Sequence, residues 1–177
     1  FANKLYTVEM LNANKEYLPD SFVMPDYLVS VRNETIGFTV PKIDGITFAC
    51  ILANPQIDIK DKIDYLRKIG GVLVQLSKIR EYTDNDDIKN FYINDIHSSN
   101  FMVNPRNREI YVIDLDSCKI AQNEAVISLY MTRDSLINTN PNKYEVNKNR
   151  LSSGYIIPSE ETDLYCYIMM IISFLYG

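Results

Sequence analysis

Apolar positions along this chain recur first at helical spacing, then in short alternating runs. Residues 2–16, ANKLYTVEMLNANKE, carry Leu5, Val8 and Leu11 on one helical face. Pro19-Asp20-Ser21 breaks that pattern. Phe22 to Val31 then reads as a strand, Arg32-Asn33-Glu34 as a turn and Thr35 to Val40 as its partner. From Asp58 to about Glu81, Ile63, Leu66, Ile69, Leu73, Leu76 and Ile79 recur every three or four residues, which predicts a long amphipathic helix. Gly70-Gly71 in its middle costs about 1 kcal/mol per glycine relative to alanine, so close packing against another element is expected there. The stretch Leu164 to Tyr176 is apolar on nearly every face but too short to span a bilayer, which predicts a buried core helix. Ser159 suits its N-cap, and Glu160 and Glu161 suit the positive end of its dipole.

The stretch Phe91 to Asp116, FYINDIHSSNFMVNPRNREIYVIDLD, has a different organisation. A polar loop, Asp95-Ile96-His97-Ser98-Ser99-Asn100, opens onto the apolar run Phe101-Met102-Val103. The turn chemistry of Asn104-Pro105-Arg106-Asn107 follows, and Tyr111-Val112-Ile113 delivers Asp114 at the end of the return strand. A hairpin of this kind brings Asp95, Asn100 and Asp114 to one end. Two carboxylates and an amide form a hard-oxygen site suited to Mg²⁺ rather than to a soft metal.

Composition narrows the classes. A chain of 177 residues with 46% hydrophobic content can bury one substantial core. A net charge of −5 and a pI near 4.9 argue against a nucleic-acid-binding surface. Cys50, Cys118 and Cys166 sit in apolar settings, as buried thiols of a reducing, cytoplasmic compartment would. One histidine and no CxxC pair leave almost no material for zinc. No signal peptide and no apolar run of membrane-spanning length is seen. The acids of Asp84-Asn85-Asp86-Asp87 lack the glycine and distal glutamate of a calcium loop, and a solvated loop is expected there.

Asp95-x-x-x-x-Asn100, followed by a hairpin and by Asp114-Leu115-Asp116, resembles the catalytic core of protein kinases and kinase-like phosphotransferases. His97, two residues after the first acid, resembles the atypical and small-molecule kinase branch. The usual His-Arg before the acid is replaced by Ile93-Asn94, and Asp116 stands where the family's metal-binding turn has glycine. The resemblance implies an α+β, protein-kinase-like fold with a partial small β lobe over residues 1–40, a hinge at 41–45 and a mainly helical C-terminal lobe over 46–177. Residues 2–16 would be the family's C helix, with Glu9 at its ion-pairing position. Leu164 to Tyr176 would be its F helix, with Asp163 bracing the catalytic-loop backbone. Residues 119–157 would be the activation segment that shapes the acceptor site.

The function implied is transfer of the ATP γ-phosphate to a hydroxyl acceptor, on a protein or a small molecule. In that scheme Asp95 orients and deprotonates the acceptor, and His97 stands near the transferred phosphate or bonds the loop backbone. Asn100 and Asp114 hold Mg²⁺, and Asp116 is a turn-stabilising acid or a second metal ligand. The backbone of Pro41 and Ile43 would meet the adenine edge, with Met102 beneath the ring. The glycine-rich phosphate loop and its lysine strand do not precede Glu9, and Phe1 in place of Met suggests a fragment or a processed form. A pseudokinase or nucleotide-binding interaction module is therefore the alternative. A metal-dependent hydrolase built on Asp114 and Asp116 would need more ligands than the sequence offers.

Overall fold

The computed structural model describes residues 2–123, 125 and 158–176, in which helices and short antiparallel strands make a mixed α+β fold. Helix α1, Ala2–Ala13, buries Val8 and Leu11 completely and Leu5 in part, as the spacing predicts. Asn14 ends it, its side-chain amide donating to the Met10 carbonyl at 2.9 Å while its oxygen accepts from Asn85 at 2.7 Å. A 3-10 turn, Lys15–Tyr17, carries the chain to Pro19.

Strands β1, Leu28–Val31, and β2, Glu34–Phe38, form an antiparallel hairpin. Arg32 and Asn33 between them both lie at positive φ, 50° and 66°, which is the backbone of the turn that matches strand twist. The strand expected from Phe22 onward is therefore shorter than its pattern. Pro25 lies in its path without an N–H to donate, and the residues before it join a different sheet. Phe22 makes one parallel bridge to Val112: the Val23 amide donates to the Val112 carbonyl at 2.9 Å, and the Val112 amide to Ser21 at 2.8 Å.

A short strand, β3 (Ile46–Thr47), runs into helix α2 (Phe48–Ala53), whose N-cap Thr47 accepts from the Cys50 amide. Helix α3, Ile59–Tyr82, starts on Asp58, whose carboxylate accepts the Lys60 amide at 2.7 Å. Its buried face is Lys62, Tyr65, Leu66, Ile69, Val72 and Leu76. Ile63 is exposed, and Leu73 and Ile79 are only half-buried. The seam is thus turned about one residue from the aliphatic stripe, because Tyr65 takes a core position beside Phe48 and the Lys62 ammonium finds the Leu52 carbonyl at 2.8 Å. The acidic cluster that follows is not a plain loop. Asn85 caps the single-turn helix α4, Asp86–Lys89, by accepting the Asp87 and Ile88 amides, and Ile88 is fully buried.

Strands β4, Phe101–Val103, and β5, Ile110–Val112, form the expected hairpin, with Phe101 opposite Val112 and Val103 opposite Ile110. Phe101, Val103, Ile110 and Val112 face the core, whereas Met102 and Tyr111 on the other face are half-buried. In the connection, the Asn104 side chain accepts the Arg106 amide and the Arg108 amide closes back on the Asn104 carbonyl. Ile46 of β3 pairs with Val103, completing an antiparallel sheet in the order β3-β4-β5. A Cβ on Gly45 would stand 2.6 Å from the Val103 carbonyl oxygen, so glycine is what lets residues 41–45 run so close to β4.

Helix α5, Glu160–Tyr176, begins with a reciprocal cap in which the Ser159 amide donates to the Thr162 hydroxyl and the Thr162 amide to the Ser159 hydroxyl. The expectation of a helix buried on all sides is corrected. Asp163, Cys166 and Met170 are buried and Tyr167, Ile171 and Phe174 partly so, while Leu164, Ile168, Ile172 and Leu175 are exposed. Among the described residues α5 packs mainly on α3, and one helix can cover only one stripe of another. Most of the 119–157 segment, with its expected role in shaping an acceptor site, lies outside the described residues. Among those described, no helix is long and apolar enough to cross a membrane.

Gly70 explains itself at the α3–α5 crossing. A Cβ there would meet the Tyr167 hydroxyl at 2.6 Å and its ring at 3.0 Å, and that hydroxyl donates to the Leu66 carbonyl at 2.9 Å. Gly71 has open space. The two neighbours should therefore respond oppositely to the same change in urea melts. Gly71→Ala should stabilise by about 0.5–1 kcal/mol through helix propensity. Gly70→Ala should destabilise by about 1–3 kcal/mol through overpacking, despite the same gain. Equal effects would show that Tyr167 does not fix the crossing.

Candidate functional site

The site is assembled on the loop before β4, the end of β5 and the first turn of α5. Asn94 at φ 69° turns the chain sharply, a backbone that asparagine tolerates better than most residues. The successive amides of Ile93 and Asn94 just before this turn both donate to Asp163, one to each carboxylate oxygen, at 2.8 Å. The Asn94 side chain donates to the Ser117 carbonyl at 2.8 Å, tying the loop to the chain beyond β5. Tyr92 and Lys119 exchange both backbone hydrogen bonds at 2.9 Å, which closes the same seam. Burial pushes the Asp163 carboxyl up to about 6, although the two amides favour its ionised form.

Arg80 on α3 braces this junction from outside. Its guanidinium pairs with Glu160 at 3.1 Å, donates to the Phe91 carbonyl at 3.2 Å and lies 5.0 Å from the centre of the Tyr92 ring. The Arg80 side chain is only 11% exposed, whereas Glu160 is 54% exposed, so the ion pair is open to water on the Glu160 side.

Within the loop, the Asn100 side-chain nitrogen donates to both the carbonyl of Asp95 at 3.0 Å and its carboxylate at 3.1 Å. The amide is thereby oriented with its oxygen as the end left to accept a cation or a donor. His97 opens the 3-10 turn Ser98–Asn100. Its Nδ1 accepts the Ser99 amide at 3.3 Å and its Nε2 lies 3.6 Å from the Asp95 carboxylate. We assign the neutral ring the tautomer with hydrogen on Nε2, the one that suits both neighbours. His97 beside it holds Asp95 below the usual carboxylate range, against the effect of burial, and Asp95 in turn raises His97.

Asp114 sits one hydrogen bond away: the amide of Ile113 before it donates to the Asn100 carbonyl at 2.9 Å. Asp114 itself is left-handed, φ 60° and ψ 48°, a conformation that costs an L-residue roughly 1–2 kcal/mol. Burial and then the neighbouring Asp116 raise its pKa, while Lys4 lowers it. Asp116 is the acceptor of an ion pair from α1, with Lys4 Nζ at 2.6 Å, and its other oxygen accepts the Ser117 hydroxyl.

The structure thus gathers Asp95, His97, Asn100 and Asp114, with Met102 half-buried on the strand that leaves this loop. Pro41 is exposed and Ile43 half-buried in the irregular chain ahead of β3, and Thr47 of β3 pairs with Met102. Glu9 is solvent-exposed, and the α1 side chain that reaches the site is Lys4. Sequence reasoning missed Lys4 and Asn94. The partner of Lys4 lies 112 positions away, and Asn94 was visible only as a departure from a familiar dipeptide.

Among the described residues, no group of three or more His, Cys, Asp and Glu side chains forms a metal cage. Asn100 and Asp114 instead offer one amide and one carboxylate oxygen. That donor set fits Mg²⁺, which commonly takes one or two protein oxygens and completes its shell with phosphate and water. No protein-family model matches this sequence, and no curated protein matches it significantly.

Two outcomes test this geometry. Asp163→Ala leaves the Ile93 and Asn94 amides buried without their acceptor. It should cost about 1–3 kcal/mol in denaturant melts, since each orphaned donor is expensive and relief of the buried carboxyl offsets part of the loss. Faster hydrogen exchange should appear first at those two amides. His97 is the chain's one histidine, so its NMR titration is unambiguous. A raised pKa means that stabilisation by the imidazolium is complete below about 6.5 and is lost as pH rises through the folded value. Asp95→Asn should move that titration down toward about 6.5; an unmoved titration would mean that the carboxylate does not govern the ring.

Proposed function

We propose that this chain carries the core of a protein-kinase-like phosphotransferase that moves the ATP γ-phosphate to a hydroxyl on a protein or a small molecule. The observation that carries the reading is the locked loop: Asn100 clamped on Asp95, with Asp114 delivered beside them and Asp163 holding the loop backbone from beneath. Residues distant in sequence converge here, and this supports the roles that the D-x-x-x-x-N resemblance implies. The α+β arrangement and the exposed β1–β2 hairpin are compatible with a small β lobe preceding a helical one.

In this reading the ionised Asp95 accepts a hydrogen bond from the acceptor hydroxyl and aims its oxygen at the γ-phosphorus. That oxygen forms the new bond to phosphorus, the bond to the bridging oxygen breaks, ADP leaves and the hydroxyl proton passes to Asp95. A carboxylate held below its usual range is a weak base. It is suited to orienting the hydroxyl and taking its proton late, as a loose phosphoryl-transfer transition state demands. Asn100 and Asp114 would hold Mg²⁺, which supplies charge neutralisation of the phosphates. His97 keeps Asp95 ionised and caps the loop. Residues 41–45 offer backbone groups to the adenine edge, and Met102 an apolar surface for its face.

ATP binding should depend on Mg²⁺, because Asp95, Asp114 and Asp116 otherwise repel the phosphates; equal calorimetric affinity in EDTA would count against the site. Asp95→Asn should leave Mg-ATP affinity within about threefold and slow the chemical step by about 10²–10⁴-fold. Asp114→Asn should weaken Mg-ATP binding itself. A wild-type protein that binds Mg-ATP but transfers phosphate to no hydroxyl would replace the enzyme with a nucleotide-binding interaction module.

A further inference from the structure

The site's acids pose an electrostatic problem. Asp95, Asp114 and Asp116 are close enough for Asp114 to feel both of the others, and a polyphosphate would add more negative charge. Most cations near this junction are committed elsewhere. Lys119 gives its ammonium to the carbonyls of Ala121 at 3.1 Å and Asn123 at 2.6 Å, and Arg80 is spent on Glu160 and Phe91. Lys4 is different. It comes from α1, which packs against the turn holding Asp116, and its Nζ reaches Asp116 at 2.6 Å.

The two ends of that pair are unequally placed. The Asp116 side chain is 11% exposed, while that of Lys4 is 53% exposed. An ammonium has three N–H donors, and the hydrogen bond to Asp116 uses one of them. With the side chain half exposed, the ammonium keeps donors for a further acceptor. The charge of Lys4 also acts on Asp114 and Asp95, favouring both as carboxylates. A partly exposed pair contributes little to stability. Anchoring α1 is therefore a weak account of it.

We infer that Lys4 is the phosphate-contacting cation of this site, brought in by α1 and held in position by Asp116. This rests on the reading of Asp95, Asn100 and Asp114 as a nucleotide phosphotransfer site. It goes further by assigning the positive charge to a helix residue that no sequence motif marks. Asp116 is then a positioning residue for Lys4 rather than a metal ligand.

The test uses calorimetry with Mg-ATP and Mg-tripolyphosphate, NMR titration with adenosine, and thermal melts of each variant. Lys4→Met should weaken both phosphate ligands about 10- to 100-fold, the scale of one lost charge-assisted hydrogen bond. It should leave adenosine affinity within about threefold and the melting temperature nearly unchanged. Lys4→Arg should restore most of the phosphate affinity. Asp116→Asn, which retains an acceptor, should lose less of it than Lys4→Met. Unchanged Mg-ATP affinity in Lys4→Met would overturn the assignment while leaving the phosphotransfer reading intact. An equal loss of adenosine affinity would also overturn it, by showing that α1 has merely been displaced. A wild-type protein that binds neither phosphate ligand would overturn both. Binding of tripolyphosphate but not ATP, lost in Lys4→Met, would sustain Lys4 and remove the nucleotide.

Discussion

The shape of the candidate site depends on one buried carboxylate. Asp163, in the first turn of α5, takes the adjacent amides of Ile93 and Asn94, so the loop ahead of β4 cannot turn elsewhere. Asn94, at positive φ, then turns the chain sharply away from this anchor toward Asp95. The carboxylate is 4% exposed, and the desolvation it suffers outweighs the help of its two donors, so its pKa rises. Placing a costly group under a loop makes sense where the loop's shape matters more than the stability it consumes.

From that anchor the rest of the site is a sequence of short couplings. The fixed turn presents Asp95, Asn100 folds back onto it, and the Asn100 carbonyl takes the amide preceding Asp114. The β4–β5 hairpin sets the distance between the loop and Asp114 through Phe101 and Val112, both fully buried and paired. The core under the hairpin thus acts on the proposed chemistry through geometry. Asp114 in its left-handed conformation holds strain at the site, in keeping with the tendency of such strain to collect where function does.

Charge organises the same region. His97 favours ionised Asp95, Lys4 acts on Asp95 and Asp114, and Asp116 opposes ionisation of Asp114. Acids separated by their environments into one depressed and one raised pKa can serve different ends. Asp95 is held below the ordinary carboxylate range and Asp114 above it, and a cation beside Asp114 would favour its ionised form. In the proposed phosphotransferase these would be the acceptor-facing and the metal-facing acids of one site.

Sequence alone determined the local elements and the residue types of the candidate site. The period of Leu5, Val8 and Leu11 sets a helix, the turn residues of 104–107 set a hairpin, and Asp95, Asn100 and Asp114 were legible from their spacing around it. These are signals carried by neighbours in the chain. What tertiary structure decided involved partners far apart. Pro25 marks where one apolar run divides between two sheets, Tyr65 rather than Ile63 enters the core because Phe48 awaits it, and α5 leaves a face exposed because α3 covers only the other. Lys4 meets Asp116 across 112 positions, and no periodicity encodes such a meeting. Hydrophobic spacing specifies which face of an element is apolar, whereas what packs on that face, and which charge ends beside which, follows only from the closed fold.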